Sequence, residues 1–266
     1  MVEKFVAAVN KNNSVVCIGL DSDVAKLPNG VDQLTFNKAI IDATHDVVCA
    51  YKPNSAFYEA LGDEGIQNLK QTCDYIHETY PEIPIILDAK RADIGNTNIG
   101  YVDFAFKYLR VDAITVQPYL GGEAVQPFLD RADKAIIVLC RTSNDGSAEF
   151  QDLKVDGIPL YKIVAKSVAD NWNKNANCML VVGATYPDEI KQVRGIVGDD
   201  MWFLIPGVGA QGGDVENTVV SAKNSQGSGM IINSSRGIIF ASSGTDYAEV
   251  AREKAIELRD EINKYR

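Results

Sequence analysis

The stretch Ile85–Thr97, Ile-Ile-Leu-Asp-Ala-Lys-Arg-Ala-Asp-Ile-Gly-Asn-Thr, carries the pattern that decides the fold. It begins with a short apolar run, which suits a strand buried in a parallel sheet. Strand alternation predicts that Asp88 and Lys90 project from one face, and Asp93 follows on the loop. An unpaired buried charge is costly, so we expect these groups to pair with one another. Taken alone, the motif fits a structural ion pair better than a functional site.

The same arrangement recurs along the chain. Each apolar, β-rich run is followed by a polar or glycine-bearing turn and then by helix-forming sequence, as in repeated βα units. The runs are Val15–Leu20, Val48–Lys52, Ile85–Asp88, Ala113–Val116, Ala135–Leu139, Met179–Val182, Trp202–Ile205 and Gly229–Ile232. Eight units without a linker predict an α/β fold, a single (β/α)8 TIM barrel spanning residues 1–266. The alternative is a doubly wound open sheet, which usually has fewer strands.

One interruption stands out from this repeat. The segment Thr142–Pro159 follows the fifth run and has no clear helical or strand period. We expect an irregular excursion that serves as a lid or as a dimer contact.

Composition limits the partners. The 266 residues include 26 Lys and Arg against 36 Asp and Glu, a formal net charge of −10, without a basic cluster. This balance argues against nucleic-acid binding, and no apolar run reaches transmembrane length, which argues against a membrane partner. The five cysteines are scattered without metal-binding spacing, as is typical of proteins in a reducing compartment. We therefore expect a soluble cytoplasmic protein.

Polar residues follow the predicted strands where a barrel of this kind places its functional groups, at the carboxyl ends. In chain order they include Asp21, Lys52, Asn54, Asp88, Lys90, Thr142, Ser143, Pro206 and Arg236. A purely structural barrel has no need of such a convergence, so we expect a site at this rim.

The loops after the seventh and eighth strands are the usual phosphate site of such barrels. Gly207, Gly209 and Gly212 would let backbone N–H groups approach an anion, and Gln211 and Arg236 add polar side chains. The glycines also match a dinucleotide-binding fingerprint, but they follow the seventh strand rather than open the fold. We favour phosphate binding over an ordinary glycine turn.

Lys52, Asp88, Lys90 and Asp93 would form a network of alternating charge. In a dry pocket, mutual pairing can keep a lysine protonated as a proton donor. A Schiff base would need a neutral lysine, which neighbouring carboxylates oppose. Asp21 could bind ligand hydroxyls or cap a helix.

Other catalytic arrangements are disfavoured by the sequence. His45 and His77 fall in helical segments, so a Ser-His-Asp triad is not expected. Asp21 with Asp23 matches a divalent-ion site only weakly, and we expect no metal. The sequence contains no His-Glu-x-x-His, Cys-x-x-Cys or Walker motif.

The residues themselves resemble a known family. The segment Asp88-Ala-Lys90-Arg-Ala-Asp93-Ile-Gly-Asn-Thr97 is similar to the signature of orotidine 5′-phosphate decarboxylase, in the form of the second of that family's two sequence groups. The resemblance continues in the right order through Gly-Leu-Asp21, Tyr-Lys52-Pro-Asn54, Arg-Thr142-Ser143-Asn, Pro206-Gly-Val-Gly209-Ala-Gln211 and Ser-Arg236-Gly. It therefore covers nearly the whole chain.

The resemblance implies a cofactor-free decarboxylation of orotidine 5′-phosphate to uridine 5′-phosphate and carbon dioxide, the last step of de novo pyrimidine synthesis. Lys90 would donate the proton, and Asp88 would lie beside the departing carboxylate. Lys52 and Asp93 would complete the charged network. In this family Asp93 and Thr97 would reach the active site of the partner subunit in an obligate homodimer.

The resemblance also assigns the substrate contacts. The ribose and lysine contacts would be Asp21 and Asn54, the pyrimidine contacts Thr142 and Ser143, and the phosphate-side contacts Pro206, Gly209, Gln211 and Arg236.

Two other functions remain open at this point. A sister enzyme that acts on a keto-sugar phosphate with magnesium shares the Asp-x-Lys-x-x-Asp pattern, but looks to carry a glutamate metal ligand where this chain has Lys52. The other alternative is a catalytically silent nucleotide-binding barrel.

Overall fold

The computed structural model describes residues 2–208 and 214–266, and its centre is an eight-stranded parallel sheet. The strands are β1 Val16–Gly19, β2 Ala50–Lys52, β3 Ile86–Arg91, β4 Ala113–Val116, β5 Ala135–Arg141, β6 Cys178–Val182, β7 Trp202–Pro206 and β8 Met230–Ser234. Most of their residues are buried, as is typical of parallel strands covered by helices.

The sheet curls into a nearly closed barrel. Going around it, β1 pairs with β2 and with β8, and the remaining neighbours from β3 to β8 pair in chain order. The seam between β2 and β3 is bridged at Tyr51–Ile85 and at Asn54–Asp88. There the Asp88 amide donates to the Pro53 carbonyl at 3.0 Å. The predicted (β/α)8 barrel is confirmed.

Helices return the chain along the outside of the barrel. They are α1 Val2–Asn12, α2 Gln33–Thr44, α3 Ala56–Glu59, α4 Gly62–Thr79, α5 Gly95–Asp103, α6 Gly121–Leu129, α7 Ala148–Gln151, α8 Leu160–Ser167, α9 Pro187–Val197, α10 Val215–Ala222, α11 Arg236–Ile239 and α12 Tyr247–Asn263. Asp32 and Asp214 cap α2 and α10, because each carboxylate accepts a backbone N–H from the first turn. Within the described part of the chain, no helix is long and apolar enough to span a membrane.

The excursion after β5 is more ordered than its sequence suggested. It contains a 3-10 turn at Asp145–Ser147, then α7, then an antiparallel hairpin of Lys154–Val155 and Ile158–Pro159. The hairpin turns at Asp156 and Gly157, whose φ angles of 51° and 80° match a type I′ turn. Asp-Gly is a strong signal for that turn, so the expectation of an irregular segment was wrong here.

Candidate active site

A cavity of about 490 Å³ opens at the carboxyl ends of the strands. The predicted site residues among its lining are Asp21, Lys52, Asp88, Lys90, Thr142, Ser143, Pro206 and Arg236. The size suits a small-molecule ligand, since such sites typically measure roughly 300–1,000 Å³. The barrel thus brings together residues that lie more than 200 positions apart.

A chain of alternating charges forms one wall of the cavity. The Asp88 carboxylate lies between two ammonium groups, with Lys52 Nζ 3.0 Å from Oδ2 and Lys90 Nζ 2.7 Å from Oδ1. Lys52 also lies 3.8 Å from Oδ1 of Asp21. The two lysines differ in exposure: the Lys52 side chain is 4% exposed and that of Lys90 50%. Lys52 is therefore a buried counter-ion, whereas Lys90 can meet a ligand.

The protonation states follow from this geometry. Burial alone would lower the pKa of Lys52, but the carboxylates of Asp88 and Asp21 outweigh it and hold the pKa above the ordinary lysine value. Burial likewise tends to raise the pKa of Asp88, but Lys52 and Lys90 hold it well below the ordinary range. At neutral pH the wall thus presents an ionised carboxylate and a protonated buried lysine.

The Lys90 side chain meets Asp88 although the backbone between them departs from a regular strand. The pairing of β3 with β4 shifts register between Leu87 and Arg91, and Lys90 has a left-handed φ of 46°. This conformation costs a non-glycine residue about 1–2 kcal/mol. The expectation of a uniform alternating strand was therefore wrong in detail, although the two side chains do meet.

Asp21 presents an acceptor to the cavity. Its Oδ1 is buried and has no hydrogen-bond partner among the described residues. A buried acceptor without a partner is costly, so a ligand hydroxyl would be bound favourably there.

The excursion after β5 supplies a second wall, which carries Thr142 and Ser143. Gln151 of α7 holds Thr142 at two points: its Oε1 accepts the Thr142 N–H at 2.9 Å, and its Nε2 donates to the Thr142 hydroxyl at 2.8 Å. Arg141, 1% exposed, donates to the Ser147 hydroxyl at 2.7 Å and lies over the Tyr186 ring. These contacts fix the excursion to the barrel.

The opposite wall is formed by Pro206 at the end of β7 and by Arg236 at the start of α11. Arg236 is exposed at the rim, where a guanidinium can bind an anion. Gly209 and Gln211, the other predicted phosphate contacts, lie outside the described residues.

Three predicted residues do not line the cavity of their own chain. The Asn54 side chain accepts the Ala56 N–H at 3.2 Å and so stabilises the turn into α3. The Asp93 carboxylate accepts the Ile94 N–H at 2.6 Å, and Thr97 is exposed on α5. Lys52, Asp88 and Lys90 of the predicted charged network therefore meet within one chain, while Asp93 lies outside that cluster.

Among the described residues, no group of three or more His, Cys, Asp or Glu side chains is arranged to hold a metal ion. Among the described residues that line the cavity, the carboxylates are Asp21 and Asp88, and both face Lys52. A cation would compete there with an ammonium group.

Comparison with known proteins identifies the family. The sequence model described as "Orotidine 5'-phosphate decarboxylase / HUMPS family" matches residues 14–252. The chain belongs to this family.

Orotidine 5′-phosphate decarboxylases of Cellvibrio japonicus (strain Ueda107) and Janthinobacterium sp. (strain Marseille) are each 51% identical to the chain. The first alignment covers 98% of this chain and 97% of the relative, and the second 99% and 98%. The solved structure of Leishmania donovani OMP decarboxylase is 38% identical, with a TM-score of 0.86 and 98% of both chains covered.

Membership of the orotidine 5′-phosphate decarboxylase / HUMPS family confirms the resemblance read from the sequence. Sequence reasoning nevertheless missed several residues of this site, namely Thr115, Asn144, Gln151, Asn233, Ser234 and Ser235. Thr115 left a signal, because a polar residue inside a buried strand needs a partner. Gln151 left none, since its role depends on how the excursion folds back onto Thr142.

Proposed function

We propose that this chain decarboxylates orotidine 5′-phosphate to uridine 5′-phosphate and carbon dioxide without a cofactor, completing de novo pyrimidine synthesis. The observation that carries the proposal is the Asp88 carboxylate held between Lys52 and Lys90 at the cavity wall. Full-length relatives with half of their residues identical are orotidine 5′-phosphate decarboxylases, which favours this member of the family over its sister enzymes.

The chemistry needs a cation and a proton at one carbon atom. Loss of carbon dioxide leaves carbanion character on the pyrimidine ring, which an adjacent ammonium stabilises and then protonates. Lys90 is the proposed donor because its side chain is half exposed and hydrogen-bonded to Asp88. Lys52, fully enclosed, keeps Asp88 ionised throughout.

In the proposed complex, Asp88 would face the departing carboxylate. Two carboxylates close together repel each other, and release of neutral carbon dioxide relieves that repulsion. Binding energy from distant parts of the substrate would hold the pair together, as remote contacts can support the transition state.

Those remote contacts are proposed at the remaining walls. Asp21 binds the ribose through its unpartnered oxygen, with Asn54 near the same network. Thr142 and Ser143 face the pyrimidine, and Arg236 binds the phosphate at the rim. Pro206 lines that side of the cavity. Gly209 and Gln211, outside the described residues, are further phosphate contacts implied by the family resemblance.

The proposal includes a homodimer with shared sites. Asp93 and Thr97 lie on a surface that also exposes Ile94 and Ile99, at 60% and 51%. A second copy covering these side chains would bury them and bring Asp93 to the partner's Lys90. This contact would complete the charged network. The five buried, unpaired cysteines suit a cytoplasmic location for this dimer.

Mixing two inactive variants tests the shared site. Lys90→Ala and Asp93→Ala dimers should each be inactive, while subunit exchange builds heterodimers with one intact site. An equal mixture should regain about a quarter of wild-type turnover, as expected for random pairing in a twofold dimer. No recovery after verified subunit exchange would refute the sharing of Asp93.

The reaction itself is tested by incubating purified protein with orotidine 5′-phosphate in excess EDTA. We expect loss of substrate absorbance with one uridine 5′-phosphate and one carbon dioxide formed per substrate consumed. Turnover of a keto-sugar phosphate that depends on added magnesium would instead assign the sister activity. Tight uridine 5′-phosphate binding without turnover would indicate a silent barrel.

A further inference from the structure

Thr115 lies on β4 at the centre of the charged wall, and its side chain makes three hydrogen bonds there. Its Oγ1 accepts the amide N–H groups of Ala89 at 3.0 Å and Lys90 at 2.9 Å, and it donates to Asp88 Oδ1 at 2.9 Å. The residue is 1% exposed. Resting on the proposed function, we propose that Thr115 is a positioning residue for the decarboxylation, which sets Lys90 and Asp88 in register through a single hydroxyl group.

The direction of each bond is determined by chemistry. A backbone N–H can only donate and an ionised carboxylate can only accept, so the hydroxyl hydrogen must point to Asp88. A hydroxyl has one hydrogen and two lone pairs, and all three are used. Asp88 Oδ1 thus accepts hydrogen bonds from Thr115 and Lys90, and Oδ2 accepts one from Lys52. The carboxylate is held from both sides and cannot rotate without losing one of these bonds.

The hydroxyl also supports the bulge that aims Lys90. Between Leu87 and Arg91 the ladder to β4 is interrupted, and the amides of Ala89 and Lys90 donate to the Thr115 side chain. Buried amide groups must find an acceptor, and bulges redirect side chains near active sites. Without the hydroxyl, the Lys90 N–H would lose the acceptor that supports the left-handed φ of 46° at this residue. Its ammonium would then lose its fixed place beside Asp88.

This role predicts a specific kinetic effect. Positioning of a proton donor matters in the chemical step, so its loss should lower kcat and leave ground-state binding nearly unchanged. A residue that only supports the fold would lower stability, or would lower kcat and ligand affinity together.

The test compares Thr115→Ser with Thr115→Ala, which lose the same methyl group and differ only in the hydroxyl. We expect the serine variant to keep kcat within about threefold of wild type, and the alanine variant to lose about 10–100-fold. Both should bind uridine 5′-phosphate within about threefold of wild type. Thr72→Ala is the control, because Thr72 is equally buried and accepts a hydrogen bond from Asn37, outside the cavity lining.

Equal kcat values for the serine and alanine variants would overturn the proposal, as would a parallel loss of kcat and uridine 5′-phosphate affinity. If the alanine variant does not fold, Thr115→Val fills the same volume without a hydroxyl and takes its place. Failure of both to fold, with a folded serine variant, would also count against the proposal, because it would assign the hydroxyl to the fold. A wild-type protein without turnover would refute the proposed function instead.

Discussion

A methyl group added at Gly183 tests how firmly Ser143, a proposed pyrimidine contact, is held in position. Gly183 follows β6, and its amide donates to the Arg141 carbonyl at 2.7 Å. A Cβ at this position would lie 2.7 Å from Ser143 Cβ and 2.8 Å from both its Cα and its N. Ordinary carbon contacts are about 3.5–4.0 Å, so Ser143 would have to move by about 0.8 Å. Because two of these atoms are backbone, a change of rotamer cannot relieve the clash.

The displacement should appear in catalysis. Misplacing a substrate contact by about 1 Å can cost about 100-fold in rate, so we expect Gly183→Ala to lower kcat/KM about 10–100-fold. This corresponds to about 1.4–2.8 kcal/mol of transition-state stabilisation. Overpacking should also cost about 1–3 kcal/mol of unfolding free energy. The assay is the decay of orotidine 5′-phosphate absorbance at several substrate concentrations, with urea unfolding of the same samples.

Gly195→Ala provides the matched control. Gly195 lies in α9, and an added Cβ there meets no other heavy atom within 4 Å. Since alanine favours the helix by up to about 1 kcal/mol, this variant should be slightly stabilised with unchanged kinetics. A folded Gly183→Ala protein with wild-type kcat/KM would refute the proposed contact of Ser143 with the pyrimidine.

Three further predictions concern stability and reactivity. Arg141→Ala should lower the unfolding free energy by about 2–4 kcal/mol, because it removes a buried, hydrogen-bonded side chain. The control Arg259→Ala removes a partly exposed ion pair and should lower it by less than about 1 kcal/mol. Equal losses for the two variants in urea unfolding would contradict this prediction. The folded-state pKa of Asp88 lies below its unfolded value of about 3.9, so its contribution to stability is complete above that pH and is lost as the pH falls through the folded-state pKa. The deficit of Asp88→Asn in urea unfolding should therefore shrink below about pH 3.9, and a deficit that grows on acidification would disprove the sign. All five cysteines are buried, and burial raises the pKa of each thiol, so none should react with a disulfide reagent until the protein unfolds; rapid labelling of the active enzyme would contradict this.

The barrel was predictable because each strand is a short apolar run that ends in polar residues. The run before Asp88 is an example: the apolar part fixes the strand, and the charges mark its carboxyl end. The same rule predicts that Lys52 and Arg236 lie at one rim, and both line the cavity there. The rule depends only on residues that are neighbours in the sequence. The parallel barrel then brings the carboxyl ends of all its strands to one rim.

The details that were not predictable depend on contacts between distant segments. The left-handed Lys90 is held by the hydroxyl of Thr115, which belongs to the next strand. Gln151 reaches Thr142 only after the excursion has folded back. Asp93 and Thr97 lie outside the cavity of their own chain, so their proposed role depends on a second copy rather than on this fold alone.

In the proposed mechanism, a lysine in an alternating charge network supports the decarboxylation of orotidine 5′-phosphate without a metal. The direct measurement is turnover in excess EDTA by the wild type, Lys90→Ala and Lys107→Ala. Lys107 is the control because it is exposed and paired with Asp103 on the outer surface. We predict rapid turnover by the wild type and the control, and a loss of at least about 100-fold in Lys90→Ala, as expected when a positioned proton donor is removed. Wild-type turnover by Lys90→Ala would contradict the account.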